Sequence, residues 1–294
     1  MSDSFVLTTD SCVDLPASYM RENNIPFVSL SYTMSGLTYL DDLGETMSDR
    51  AFYSRIKAGE ESTTTQVNPG QYVDFFTPFL QEGKDILYLA FSSGLSGSHG
   101  SAVIAAEMLK EKFPDRRVVV VDSLSASMGQ GLLLTHALTL KNDGATLDEV
   151  ARWLEANRLH MCHFFTVNDL FHLYRGGRLS KGSAILGSLI GIKPLLHVDN
   201  NGRLAPIGKV RGRTGAINAL ADFVEKHGVN MDRQTVYISH GDCLEDAEFL
   251  AAILKRRFRV PKILINPVGP VIGSHAGQGV LALFFVGGSR GGKD

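Results

Sequence analysis

Residues 86–121, ILYLAFSSGLSGSHGSAVIAAEMLKEKFPDRRVVVV, decide the fold class. Ile86–Phe91 is an unbroken apolar run of strand length, and Val118–Val121 is another. Alternation would mark a strand with one wet face. An unbroken run marks a strand buried on both faces, as in a sheet covered by helices. Between the two runs, Ser101–Phe113 places Val103, Ile104, Met108 and Leu109 at helical spacing. Strand, helix and strand in that order argue for a parallel sheet.

The same reading extends outward. Phe5–Thr8 and Ile25–Tyr32 read as strands, and Ser125–Leu140 and Leu147–Asn157 as helices. Further on, Phe164–Val167 reads as a strand, and Leu195–Val198 and Arg203–Ile207 flank Asp199-Asn200-Asn201-Gly202. Asn-Gly between two β runs is a strong hairpin signal, so this half needs a mixed sheet. Thr235–Ser239 and Lys262–Ile265 are further strands around a helix at Leu244–Arg257. The expected fold class is α/β with two α/β domains. Residues 1–160 would form a mainly parallel sheet with flanking helices, and residues 161–294 a mixed sheet with a β-hairpin. The boundary falls near Leu159–His163, and the last segment is free to return to the first domain. A chain of 294 residues suits two cores better than one.

Composition narrows the function. Apolar residues make up 44% and charged residues 20%, enough for a packed core, and a net charge of −2 argues against nucleic acid as partner. Cys12, Cys162 and Cys243 are odd in number and far apart, which excludes a disulfide framework or a paired-cysteine metal knuckle. The N-terminal residues carry no basic and apolar leader pattern, so a cytoplasmic location is expected.

Three loops hold more hydroxyls and glycines than a core needs: Ser62-Thr63-Thr64-Thr65-Gln66, Ser92-Ser93-Gly94-Leu95-Ser96-Gly97-Ser98, and Gly273-Ser274-His275-Ala276-Gly277-Gln278-Gly279 between two β runs. The second follows a strand and precedes a helix, where open α/β sheets bind ligands and free N–H groups favour an anion. Ser96 or Ser98 alone reads equally as a helix cap. The set of three loops points to an anion site. Gly277-x-Gly279-x-x-Ala282 lacks the helix of a dinucleotide fingerprint, and Gly287…Gly292-Lys293 lacks the hydroxyl residue of a P-loop. His160, Cys162 and His163 offer no fourth ligand and read as structural, so no metal and no cofactor is expected.

Seven motifs in order resemble those of the DegV family, the fatty-acid-binding proteins of a bacterial fatty acid kinase system. They are Thr9-Asp10-Ser11 with Asp14-Leu15, Thr63-Thr64-Thr65-Gln66, Ser92 to Ala102, Val121-Asp122-Ser123 with Gly129, Leu170…Gly176-Gly177-Arg178-Leu179, Ile192-Lys193-Pro194-Leu195-Leu196, and Gly269-Pro270-Val271-Ile272 followed by His275-x-Gly277-x-Gly279. The resemblance implies two α/β domains with a long-chain fatty acid between them. The carboxylate would be held by Thr64 and Ser93 with His275 beside them, and Thr65 and Ser96 at the same site. Arg178 would lie near the entrance and help to meet a fatty acid kinase subunit, which makes the acyl phosphate. The protein would then be a carrier and no enzyme, with transient contact with a membrane. The sequence departs from the family pattern at Thr65, Val67, His99 and Gln278. Thr65 keeps a hydroxyl; the other three bear on loop shape and chain-length preference.

Physical chemistry sets two demands on such a site. The tail needs a dry wall, at about 0.8 kcal/mol per buried CH₂. The carboxylate needs partners, because burying it alone costs several kcal/mol or more. Ile185, Leu186, Leu189 and Ile190 have the helical spacing of a tunnel wall, though ordinary core packing explains them as well. Two other classes compete with the carrier: a lipid hydrolase or phosphotransferase using Ser93 and His275, and a ligand-gated regulatory module.

Overall fold

The computed structural model describes residues 5–179 and 191–290. The first half runs β1 (Phe5–Asp10), α1 (Ala17–Glu22), β2 (Phe27–Val28), β3 (Ser31–Met34), β4 (Leu37–Leu40), α2 (Asp49–Lys57), β5 (Ser62–Thr65), α3 (Pro69–Gln81), β6 (Asp85–Ala90), α4 (Ser98–Lys112), β7 (Val118–Asp122), α5 (Met128–Asn142) and α6 (Leu147–Asn157). The second runs β8 (Met161–Thr166), α7 (Phe171–Arg175), β9 (Ile192–Val198), β10 (Leu204–Arg211), α8 (Arg213–His227), β11 (Thr235–His240), α9 (Leu244–Phe258), β12 (Lys262–Pro267), α10 (Pro270–Ala276) and β13 (Leu281–Val286). No described helix is long and apolar enough to cross a membrane.

The fold is α/β, as the sequence implies. A parallel sheet of order β2-β1-β6-β7 forms one layer, and a mixed sheet of order β10-β9-β8-β13-β11-β12 forms the other. The apolar run that decided the fold class is β6. Ile86, Tyr88 and Ala90 face α3 and α4, while Leu87 and Leu89 face the core shared with α5 and α6. A strand buried on both sides has no use for polar alternation. The six-stranded sheet divides its residues in the same way. Cys162, Phe164, Leu283 and Phe285 face α8 and α9. Phe165, Ala282, Phe284 and Tyr237 face the opposite way, towards the parallel sheet. Helix α5 lies between the two sheets, and its first seven residues are all buried. An amphipathic face would be wrong there, and the sequence MGQGLLL shows none.

Three expectations need correction. Ile25–Tyr32 is not one strand: β2 joins the parallel sheet, whereas β3 belongs to a separate antiparallel sheet of order β4-β3-β5. Ser62–Thr65 is not a loop but the edge strand β5 of that small sheet, its side chains alternately half-buried and exposed. The glycine loop at Gly273 is helical. Pro270 opens α10 at a position where the missing N–H costs nothing, and Gly277, at φ +74°, closes it. The turn at Asp199–Gly202 does join β9 to β10 as an antiparallel hairpin, with Gly202 at φ +71°. Helix α10 packs against α2, β3 and β5.

Candidate functional site

A cavity of about 360 Å³ lies between the inner face of the six-stranded sheet and the loops of the parallel sheet. Its size falls within the range of small-molecule sites. Most of the wall is apolar: Phe165, Val198, Leu204, Ala282 and Phe284 from the sheet side meet Leu30, Phe91 and Val271 from the other. Polar groups gather at two places.

The first gathering contains most of the residues singled out in the sequence. Thr64, Thr65, Ser96, Arg178 and His275 all line the cavity. Thr64 comes from β5, Ser96 from the loop before α4, Arg178 from just beyond α7, and His275 from the last turn of α10. Thr64 Oγ1 and His275 Nε2 are 2.8 Å apart. Ser96 Oγ is paired with Ser98 Oγ at 3.0 Å. Arg178, expected at the entrance, is half-buried in the wall itself. It is fastened by donation from Nε to Leu95 O (3.0 Å) and from Nη1 to Gly176 O (2.7 Å).

Ser93 is a correction. It is exposed, it does not line the cavity, and its amide donates to Asp122 Oδ1 at 3.2 Å. The serine of that loop that reaches the cavity is Ser96. A nucleophile–base pair of Ser93 and His275 is therefore not assembled, since His275 Nε2 is engaged by Thr64. Ile185, Leu186, Leu189 and Ile190 lie outside the described residues.

His275 sits in a tight slot. A Cβ built on Gly176 would lie 2.1 Å from its Nδ1, so only glycine leaves room for the ring. That nitrogen is buried and has no partner among the described residues. A buried orphan acceptor is less costly than a buried orphan N–H, so the ring proton belongs on Nε2, donated to Thr64 Oγ1. The Thr64 hydroxyl proton is then free to point elsewhere. Burial, reinforced by the nearby Arg178 guanidinium, lowers the His275 pKa from 6.5 to about 4. The ring is neutral at neutral pH, and the positive charge at this end of the cavity belongs to Arg178.

That shift has a measurable sign. A depressed folded-state pKa gives stability that is present above the unfolded value and lost as pH falls. The stability difference between the wild type and His275→Asn is therefore expected to shrink as pH drops from 6.5 towards 4. Urea denaturation at a series of pH values reads it directly; a difference that grows on acidification would contradict the neutral ring.

The second gathering was not foreseen. Ser127, His163 and Ser239 line the cavity from the start of α5, from β8 and from β11. Ser127 Oγ donates to Asp14 Oδ2 at 2.5 Å and pairs with Ser239 Oγ at 3.0 Å. Asp14 and Ser127 both hold positive φ, +49° and +52°, a conformation that ordinary residues keep only when their surroundings enforce it. Asp14 was visible in the sequence as part of an opening motif, and Ser127 sits two residues before Gly129 of another. Ser239 had no signal beyond a hydroxyl in an apolar strand.

The model of the family described as "Uncharacterised protein, DegV family" matches residues 4–287. A DegV domain-containing protein of Clostridium perfringens is 43% identical over 286 residues, 97% of this chain and 98% of that one. Two solved structures share the architecture. A DegV lipid-binding protein of Thermotoga maritima gives a TM-score of 0.86 at 29% identity, covering 98% of this chain and 99% of the other. A DegV family protein of Thermus thermophilus, described by its fatty acid binding, gives 0.85 at 30% identity, covering 97% and 99%.

Proposed function

The chain belongs to the DegV family, and from that premise we propose that it binds a long-chain fatty acid in this cavity and carries it, unmodified, to a separate kinase. The observation that carries the reading is an apolar cavity with Thr64, Ser96, His275 and Arg178 gathered at one end of it. An acyl tail of common length would gain roughly 12 kcal/mol from burial before association costs, which remove a large part. Its carboxylate would accept the free Thr64 proton and a Ser96 hydroxyl, with the Arg178 guanidinium supplying the countercharge. His275, neutral, holds Thr64 in the orientation that donates. The Thermotoga and Thermus relatives, described by lipid and fatty acid binding, support the same ligand class.

Thr65 and Gln66 line this end of the cavity and are exposed, which supports a carboxylate end beside solvent. A kinase could therefore reach it and transfer the terminal phosphoryl group of a nucleoside triphosphate to a carboxylate oxygen, giving an acyl phosphate. Among the described residues, Ser93 and His275 are not paired at this end. Thr64 and Ser96 act as donors to the ligand.

Native mass spectrometry of the purified protein, followed by denaturing extraction and lipid analysis, tests the reading. A stoichiometric adduct of fatty-acid mass is expected. Thr64→Ala should weaken rebinding about ten- to a hundredfold, the worth of one hydrogen bond to a charged group. A ligand-free protein that also refuses added fatty acid would refute the carrier reading.

A further inference from the structure

The second polar gathering has no part in holding a carboxylate. We propose that it receives a hydroxyl group carried part-way along the acyl chain, so that the preferred ligands are monohydroxy fatty acids. The inference rests on the fatty-acid reading and narrows its ligand class.

His163 is fully buried in the cavity wall. Its Nδ1 lies 2.7 Å from Met161 O, an acceptor, so Nδ1 carries the ring proton and donates it. Nε2 is then an acceptor, and it has no partner among the described residues. Burial keeps the ring neutral, since its pKa lies well below the ordinary value. Gly129, on the first turn of α5, packs directly against the ring: a Cβ there would lie 1.9 Å from Nε2, so only glycine leaves room for the imidazole. Gly129 follows Ser127 by two residues, which brings the serine pair and the histidine to one stretch of wall.

The chemistry selects the ligand group. His163 Nε2 needs a donor. The Ser127 proton goes to Asp14 and the Ser239 proton to Ser127, so the serine pair likewise has only acceptor capacity left. A carboxylate would face a lone pair, and a ketone has no proton to give. A hydroxyl supplies the proton that these acceptors lack. Its place on the chain follows from α10. Asp14, which holds Ser127, also accepts from Gly269 N at the start of that helix, and His275 lies near its end. Six residues at 1.5 Å rise put Gly269 and His275 about 9 Å apart along α10. That span matches the middle of an extended acyl chain.

The test compares stearic acid with a positional series of monohydroxy stearic acids on the wild type, Ser239→Ala and His163→Leu. Affinity is read by displacement of a fluorescent fatty acid. A hydroxyl buried without partners weakens binding about tenfold or more. Misplaced isomers are expected to show that loss, and one mid-chain isomer is expected to escape it and match or exceed stearic acid. In either variant the ratio of affinities for that isomer over stearic acid should fall about tenfold. Stearic acid binding with a uniform loss for every isomer would overturn the hydroxyl subsite alone, as would a ratio that neither variant changes. No binding of stearic acid at all would overturn both this inference and the fatty-acid reading.

Discussion

Gly176→Ala is expected to weaken fatty-acid binding ten- to a hundredfold while leaving the fold intact. The new methyl group would lie 2.1 Å from His275 Nδ1 and 3.1 Å from Cγ and Cε1. The ring cannot retreat without leaving Thr64, because its Nε2 already lies 2.8 Å from Thr64 Oγ1 on the far side. The helix cannot retreat either, since its N-terminal amide is held by Asp14 at 3.1 Å. Loss of the oriented Thr64 donor removes a charge-assisted hydrogen bond, about 1.5–3 kcal/mol. The backbone supplies the control. Gly176 sits at φ −72°, which alanine adopts freely. Gly177 sits at φ +71° with nothing within 4 Å of its Cβ position. Gly177→Ala should therefore cost stability, about 1 kcal/mol, more than it costs binding. Thermal unfolding and ligand displacement on the two variants separate the roles. Wild-type affinity in Gly176→Ala would show that the His275–Thr64 contact does not hold the carboxylate.

The fold was legible where one face or period dominated. β6 read as a buried strand because both its faces are covered, the half-buried edge strand β7 because its valines pack on both sides of the sheet, and the β9–β10 hairpin because Asn201-Gly202 suits few other structures. Legibility failed where tertiary contacts overrode the local pattern. Ser62–Thr65 carries no apolar alternation, yet it pairs with β3 and so becomes strand. The glycines around His275 suggested a loop, but Pro270 and Gly277 bracket a short helix that α2 and β5 support from outside.

The site divides along the same line. Thr64, Thr65, Ser96, Arg178 and His275 stand in motifs, and they converge on the cavity. Ser93 stands in the same motif as Ser96, three residues earlier, but the tight turn at Ser92–Leu95 directs it outwards. No one-dimensional pattern distinguishes the two serines. Ser127, Ser239 and His163 come from elements more than thirty residues apart, and only the packing of α5 across the sheet brings them together.

Asp14→Ala is expected to lower the unfolding free energy by roughly 2–4 kcal/mol. The residue is buried and joins three elements, two of them through its carboxyl group. Oδ1 accepts from Gly269 N at the start of α10, and Oδ2 accepts from Ser127 at the start of α5; the Asp14 backbone carbonyl accepts from Asn266 of β12 at 2.8 Å. Alanine keeps only the last. Each buried donor left without a partner costs about 1–3 kcal/mol, partly offset by no longer holding a carboxyl group out of water. Burial raises the Asp14 pKa well above 3.8, with Asp41 and Asp49 adding in the same direction. A raised folded-state pKa gives stability that is complete below the unfolded value and lost as pH rises through the folded one. The advantage of wild type over Asp14→Ala should therefore be larger in mild acid than in mild base, and Asp14→Asn, which keeps one acceptor, should fall between. Urea denaturation at two pH values measures it. An advantage that grows with pH would mean that the ionised carboxylate, not the neutral acid, holds α10 in place and with it His275.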